Sequence, residues 1–339
     1  MNIIIPMAGW GTRLRPHTLT VPKPLINVAG KSVVVRLIDE INASISEPLT
    51  NLVFIVKPQF GKEVEQMLLE TGRKYNIPAH IVYQEEAMGT AHAVFQAKAF
   101  LEGKVFIAYA DTLFKGKIII PPRADSVIVV KKVDRPEQFG VVKMDKHGNI
   151  VHFVEKPREF VSDLAIVGIY YFKNGEILRD EITFLMDKGI TKSGEYQLTD
   201  ALTRMLNKGM VFVPASIEKW MDFGNKNAAI QTNKEILQWE FEHGKSLRGE
   251  NIIMENVTVN EPCFIGNNVV LKNTEIGPYV SIGDRSIVEN ARIKNSLIGT
   301  HAEIKNTEIS GSMLGNFVKI NTRTPLPALD LGDYSKIGY

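Results

Sequence analysis

Apolar residues in the first third of the chain alternate between two rhythms. Short β-rich runs at Ile3–Pro6, Leu52–Val56, His80–Tyr83 and Val105–Tyr109 predict strands, and between them Val33–Ala43, Val64–Tyr75 and Ala91–Phe100 repeat their apolar positions at helical spacing. This alternation predicts an α/β, doubly wound, Rossmann-like sheet, whose ligands bind outside the carboxyl ends of the strands. From Ser126 to Phe172 the pattern is strand-dominated, with a hairpin turn at Lys146-His147-Gly148-Asn149, so the sheet is expected to be mixed. Helical patterns return around Gln197–Asn207 and Asn227–Glu242, and a first domain over residues 1–245 follows.

After Glu250 the rhythm changes again. Ile253, Val259, Ile265, Leu271, Ile276, Ile282, Ile287, Ile293, Ile298, Ile304, Ile309, Leu314 and Ile320 recur every five or six positions, and several precede a glycine, as in Ile265-Gly266 and Ile282-Gly283. This is the texture of hexapeptide repeats, in which each flat side of a triangular coil buries one aliphatic residue. At roughly three hexapeptides per coil, residues 250–323 supply about four coils of a left-handed parallel β-helix, with a Pro-rich tail over 324–339 to cap it. The outward positions carry no cluster of catalytic groups, so the repeat is expected to serve assembly and stability.

Composition narrows the class. A length of 339 residues exceeds what one core serves, and two domains fit it. The net charge of +2, with basic and acidic residues interspersed, gives no field for nucleic acid or an anionic membrane, so the substrates are expected to be small. Cys263 is the only cysteine, which excludes an intrachain disulfide and a thiolate metal cluster within one chain. The run Ile3-Ile4-Ile5 stops at Pro6, short of a signal-peptide core or a membrane span, and a cytoplasmic protein is expected.

The chemistry concentrates between Ile5 and Leu25. Gly9 and Gly11 let the backbone approach an anion and turn its amide hydrogens inward, while Arg13, Arg15 and Lys23 add charge. Two better-known phosphate loops fail on single residues. A dinucleotide fingerprint wants glycine where Leu14 stands, and a Walker loop ending at Gly30-Lys31-Ser32 wants its first glycine where Leu25 stands. The order Gly-x-Gly-Thr-Arg-Leu-x-Pro, followed by Pro-Lys-Pro-Leu, instead resembles the signature of the sugar-1-phosphate nucleotidylyltransferases, the glucose-1-phosphate thymidylyltransferases with a C-terminal hexapeptide domain in particular.

That resemblance extends to about residue 245 and implies a role for each matching residue. Ala8, Gly9, Gly11 and Thr12 would bind the nucleoside triphosphate, with Arg13 and Lys23 stabilising charge on the transferring phosphorus and the departing pyrophosphate. Gln84 and Gly89, in Gln84-Glu85-x-x-x-Gly89-Thr90-Ala91-His92, resemble the base-recognition segment: an amide both donates and accepts, and Gly89 would let the base approach the backbone. His92 reads as structural. Glu155-Lys156-Pro157 would bind the sugar hydroxyls and sugar phosphate, with Gly140, Tyr170 and Glu195 lining the sugar pocket. Asp111 and Asp222 would hold Mg²⁺, although Ala110 stands where the family has glycine and Asn225 where it has threonine.

The implied reaction joins a nucleoside triphosphate and a sugar 1-phosphate into NDP-sugar and pyrophosphate, with dTTP and glucose 1-phosphate favoured and UTP or GTP chemistries as alternatives. A homo-oligomer is expected. A non-catalytic nucleotide-sugar sensor is the rival from another class. A bifunctional acyltransferase is weaker, because the repeat is short and His301 is its only histidine.

Overall fold

The structure, a computed structural model, describes residues 1–338; Tyr339, the last residue of the expected tail, lies outside the described residues. The chain divides into two compact units, one comprising Met1–Gly9 and Leu37–Trp220, the other Trp10–Arg36 and Met221 onward.

The first unit is built on a nine-stranded mixed sheet. Its strands are β1 (Asn2–Pro6), β2 (Asn51–Val56), β3 (Ala79–Tyr83), β4 (Val105–Ala108), β5 (Ser126–Lys132), β6 (Gly140–Met144), β7 (Ile150–Glu155), β8 (Leu164–Phe172) and β9 (Phe212–Ser216). They lie in the order β3-β2-β1-β4-β8-β5-β9-β7-β6. The first four are mutually parallel, with Ile4 of β1 opposite Val53 of β2 and Ile107 of β4, and β8 then runs antiparallel to β4 and β5. Ile4, Val53, Ile55 and Ile107 share one core with Ala91 and Val94, while Ile3, Ile5, Leu52, Phe54 and Phe106, of the opposite parity, are equally buried. Burial of both parities is why these strands read as unbroken apolar runs. After β1 the chain runs to β2 on one side and later returns as β4 on the other, so the segment leaving Pro6 lies at a topological switch point.

The helices are α1 (Val33–Ser44), α2 (Lys62–Lys74), α3 (Thr90–Gln96), α4 (Gly175–Asp187), α5 (Leu198–Asn207) and α6 (Lys226–Glu242). The helix expected to reach Phe100 stops at Gln96, and Lys98–Phe100 is a 3₁₀ turn. No helix is expected above where α4 lies. Its buried Leu178, Ile182 and Leu185 repeat at helical spacing, but the run Ile182-Thr183-Phe184 is strand-like in composition and follows a strand-rich stretch. Among the described residues, no helix is long and apolar enough to cross a membrane.

In the second unit the repeat forms parallel strands that stack at offsets of 16 or 17 residues. Two of the three sides show the stacking most fully: Ile265, Ile282, Ile298, Leu314 and Leu331 form one inward column, and Leu271, Val288, Ile304, Ile320 and Ile337 another. The pattern fits a β-helix five strands deep on one side, one coil more than the estimate of about four. The extra coil comes from the segment after Thr324, where Asp330–Leu331 and Lys336–Ile337 join the sheets. Two expected inward positions are corrected. Val288, not Ile287, is buried in its strand, and Ile253 is 56% exposed. Two adjacent apolar residues fit a five- or six-residue period equally well, and only strand register separates them.

The corners explain the glycines and asparagines. A Cβ at Gly283 would lie 2.6 Å from the carbonyl carbon of Gly299, and one at Gly299 would lie 2.5 Å from that of Gly315, so stacked backbones exclude any side chain there. Asn256, Asn273, Asn290 and Asn306 all have positive φ, and each side-chain amide donates to the asparagine of the next coil, ending on Asn321.

The segment Trp10–Arg36 has no regular element longer than three residues until α1 begins at Val33, so tertiary contacts must set its shape. At Gly30, whose φ is +82°, an added Cβ would lie 2.3 Å from the ring of Phe264 in the first coil. Arg36 is buried against Glu240 of α6, with Nη1 donating to Oε1 at 2.8 Å, and also donates to the carbonyls of Val28 and Ala29. The helix α6 in turn meets the repeat, where Ser281 donates to Asn233 and Tyr279 to Gln238.

Arg36→Ala would leave Glu240 buried without its counter-charge. A loss of about 3–5 kcal/mol is expected, read as a lower urea unfolding midpoint.

Candidate active site

The first unit contributes a cluster around the carboxyl ends of β1 and β4. Ala8 is buried and Gly9 exposed just beyond β1, and a Cβ on Gly9 would meet nothing within 4 Å. Past β4, the amide of Tyr109 donates to Gly168 and that of Ala110 to Pro6, which places the exposed Asp111 on a turn tied to two strands. The first tie is to a bulge in β8, where the register with β5 shifts between Ile166 and Tyr170, Gly168 has a φ of +86°, and Thr112 donates to Val167 at 2.9 Å. Bulges re-aim side chains, and this one bears both the Asp111 turn and Tyr170. No motif in the sequence announces it beyond Gly168 inside a strand-like run.

Tyr170 is buried beside Tyr109, with ring centroids 6.3 Å apart at 74°. Burial pushes its hydroxyl pKa well up, and the negative charges of Glu155 and Asp111 push it further, so the structure brings these three predicted residues into one electrostatic neighbourhood. Glu155 ends β7 opposite Gly140 of β6, where a Cβ on Gly140 would lie 3.0 Å from Oε2. Lys156 follows in a left-handed conformation, φ +45°, with its amide donating to Phe139 and its side chain exposed. Such backbone costs a non-glycine residue about 1–2 kcal/mol, a burden found mostly where a side chain must be aimed.

The Gln84 and Glu195 segments are stitched together. Tyr196 donates its amide to Met88 and accepts from Ala91, and Leu198 donates to the Thr90 hydroxyl at 2.9 Å. Gly89, φ +107°, has no room for a side chain because its Cβ would lie 2.4 Å from the carbonyl oxygen of Tyr196. On the side where a side chain would point, the close approach is by this chain's own backbone. Gln84 is buried and its Nε2 donates to Nδ1 of His92 at 3.2 Å. Burial lowers the His92 pKa against an opposing pull from Glu86, and Nε2 of Gln96 lies 3.0 Å from the other ring nitrogen. Glu195 lies exposed at the end of a tight Lys192–Glu195 turn and accepts from Gln197 at 3.0 Å.

The second unit contributes the rest of the opening loop. Gly11 is left-handed, φ +61°, and a Cβ on it would lie 2.9 Å from Cβ of Lys23 and 3.2 Å from Cγ2 of Thr18. Thr18 donates to the Gly11 carbonyl at 2.8 Å, so the loop folds back on itself. Thr12 and Arg13 follow in an exposed 3₁₀ turn that buries only Leu14. Lys23 is buried between Pro22 and Pro24, and Arg15 is exposed. Thr18 has no place in the expected site and is legible only once the fold is known.

Asp222 is also in the second unit. Its carbonyl accepts from Thr232 at 2.6 Å, and its exposed carboxylate rests on Gly224, where a Cβ would lie 2.8 Å from Oδ2. Asn225 caps α6 by accepting from the amide of Ala228. Among the described residues no group of three or more His, Cys, Asp or Glu could hold a metal ion.

Comparison with known proteins gives this arrangement a family. Residues 2–239 match the nucleotidyl transferase family model. The chain is 30% identical to the bifunctional protein GlmU of Methanococcus maripaludis strain S2 over 77% of its own length, but spans only 62% of that relative. It is 29% identical to a glucose-1-phosphate thymidylyltransferase of Streptomyces antibioticus over 99% of both chains. A crystal structure described as that of a glucose-1-phosphate thymidylyltransferase from Bacillus anthracis, with a sucrose, matches with a TM-score of 0.58 at 23% identity, over 69% of this chain and 94% of that one, a likeness of fold. With the model matched across the whole mixed sheet, the opening loop and most of α6, the chain belongs to the nucleotidyl transferase family.

Proposed function

We propose that this chain is a sugar-1-phosphate nucleotidylyltransferase. An oxygen of the sugar phosphate attacks the α-phosphorus of a nucleoside triphosphate, the bond to the β-phosphate bridge breaks, and pyrophosphate leaves. The observation that carries the reading is the opening loop, in which the left-handed Gly11 brings Lys23 and the Arg13 turn around one short backbone stretch that follows the first strand in the chain. Phosphoryl chemistry of this type needs alignment and charge stabilisation more than an acid–base pair. Arg13 and Lys23 supply that charge to the triphosphate, Ala8, Gly9, Gly11 and Thr12 its backbone cradle, and Gln84 and Gly89 the segment for the base. Gly140, Glu155, Lys156, Tyr170 and Glu195 receive the sugar phosphate. The full-length likeness to a thymidylyltransferase supports dTTP and glucose 1-phosphate as the preferred pair.

Asp111 and Asp222 suit Mg²⁺ by donor chemistry, as exposed hard-oxygen carboxylates in a protein with no larger ligand cluster among the described residues. When bound, the ion neutralises phosphate charge. The repeat is assigned as a left-handed β-helix over 250–323, continued by the described part of the 324–339 tail, the catalytic module as residues 1–245, and the protein as a cytoplasmic homo-oligomer. Pyrophosphate release, measured with dTTP, UTP and GTP against glucose, mannose and N-acetylglucosamine 1-phosphates, tests the activity and its substrates; a folded protein releasing none from any pair rules the reading out.

Asp111→Asn and Asp222→Asn are near-isosteric but carry no charge to offset a metal ion. Each is expected to lower kcat strongly with the fold intact by circular dichroism; near-normal turnover of both at saturating Mg²⁺ would remove the metal assignment.

Lys156→Ala is expected to raise the KM for the sugar phosphate roughly ten- to a hundredfold, the usual worth of a charge-assisted bond, and to leave the nucleotide KM nearly unchanged. A change confined to the nucleotide KM would move Lys156 to the other substrate.

A further inference from the structure

The last coil of the repeat reaches the opening loop directly. His17, only 5% exposed, has its Nε2 2.7 Å from Oδ1 of Asp330, and Thr20 donates to Oδ2 of Asp333 at 2.9 Å. Between those two acids lies Gly332, where a Cβ would sit 3.0 Å from Cβ of Pro16. All three contacts fall on the stretch that separates Arg13 and Arg15 from Lys23. The same stretch carries Thr18, which holds the carbonyl of Gly11.

We propose that the final coil is a positioning element for the nucleotide: Asp330 and Asp333 clamp the His17–Thr20 turn and thereby fix Gly11, Arg13 and Lys23 in the arrangement that receives a triphosphate. This rests on the reading of the opening loop given above. Three features argue for positioning. First, the loop has only 3₁₀ turns and two-residue strands to shape it, so the direction of its side chains is set by what it packs on. Second, the clamp is rigid. Asp333 also accepts from the amide of Asn316 at 2.7 Å, and Asn316 in turn accepts from the amide of Thr300, so the acid is the last rung of a ladder running back through the repeat.

Third, the clamp is directional where an apolar contact would not be. Burial holds the His17 pKa below its ordinary value, against the opposing pull of Asp330 and Asp333, while Lys226 reinforces the lowering. The neutral ring therefore donates one hydrogen bond to Asp330, and the bond's geometry fixes the turn. On this reading the repeat contributes to substrate binding, which revises the expectation that it serves assembly and stability alone.

The test uses the full-length protein and the nucleotide and sugar phosphate that react fastest in the panel above. The paired variant Asp330→Ala with Asp333→Ala is expected to raise the nucleotide KM about tenfold, the worth of two hydrogen bonds, with the sugar-phosphate KM within about twofold of the parent. Asp330→Asn with Asp333→Asn should restore the nucleotide KM, because an amide oxygen accepts from the same two donors. An unchanged nucleotide KM in the folded alanine pair overturns the proposal, as does a parallel rise in both KM values together with a lower melting temperature.

Thr20→Val reads one of the same bonds from the loop side if the alanine pair does not fold. A rise of about threefold in the nucleotide KM is expected, and no rise overturns the proposal. Lys23→Ala, measured alongside, separates the two levels of inference. If it raises the nucleotide KM while the acid variants do not, the coil's role alone falls; if neither changes it, the loop is not the nucleotide site and both readings fall.

Discussion

The close approach of Gly11 to Lys23 and Thr18 is the constraint on which the opening loop depends. With only 3₁₀ turns and one two-residue strand of its own, the stretch from Trp10 to Val28 depends on contacts that admit one arrangement, and a left-handed glycine with neighbours 2.9 and 3.2 Å from its absent Cβ is such a contact. The buried Arg36–Glu240 pair and the Phe264 ring under Gly30 hold the end of the same segment, so the loop is fixed at several points along its length.

In the other unit the comparable constraint is the bulge in β8. By turning two carbonyls toward the Tyr109–Thr112 turn it aims Asp111 and Tyr170 from one backbone irregularity, and the left-handed Lys156 at the end of β7 aims another side chain nearby. Regular sheet supplies the stiffness, and the departures from regularity supply the chemistry. This division keeps the cost of strain to a few residues while the parallel half of the sheet packs on both faces.

Much of this was legible in the sequence for identifiable reasons. The parallel strands announce themselves because both faces are buried, and the repeat because one aliphatic residue per flat side recurs every five or six positions, several followed by the glycine that stacked coils require. What escaped was whatever depends on register or on distant contacts: Val288 in place of Ile287, α4 hidden in a strand-like run, the part of Tyr196 in requiring Gly89, and the whole partnership between His17 and Asp330, separated by 313 positions. Local patterns encode local geometry. Why a given position must be glycine is decided by tertiary neighbours, as the Tyr196 carbonyl beside Gly89 shows.

The stacking of the repeat also makes it a ruler. Adjacent coils are spaced by the strand separation of a β-sheet, about 4.8 Å, and the clamp on the loop is carried by one particular coil. Adding or deleting a coil would leave the interior columns of Ile and Val as well packed as before, yet it would carry the Asp330–Asp333 rung about 4.8 Å along the axis, beyond reach of His17 and Thr20. Drift in length, which solenoids otherwise tolerate well, is thus closed to this one between its first coil and its last, because Phe264 and Asp330 must meet the same short segment from opposite ends of the stack.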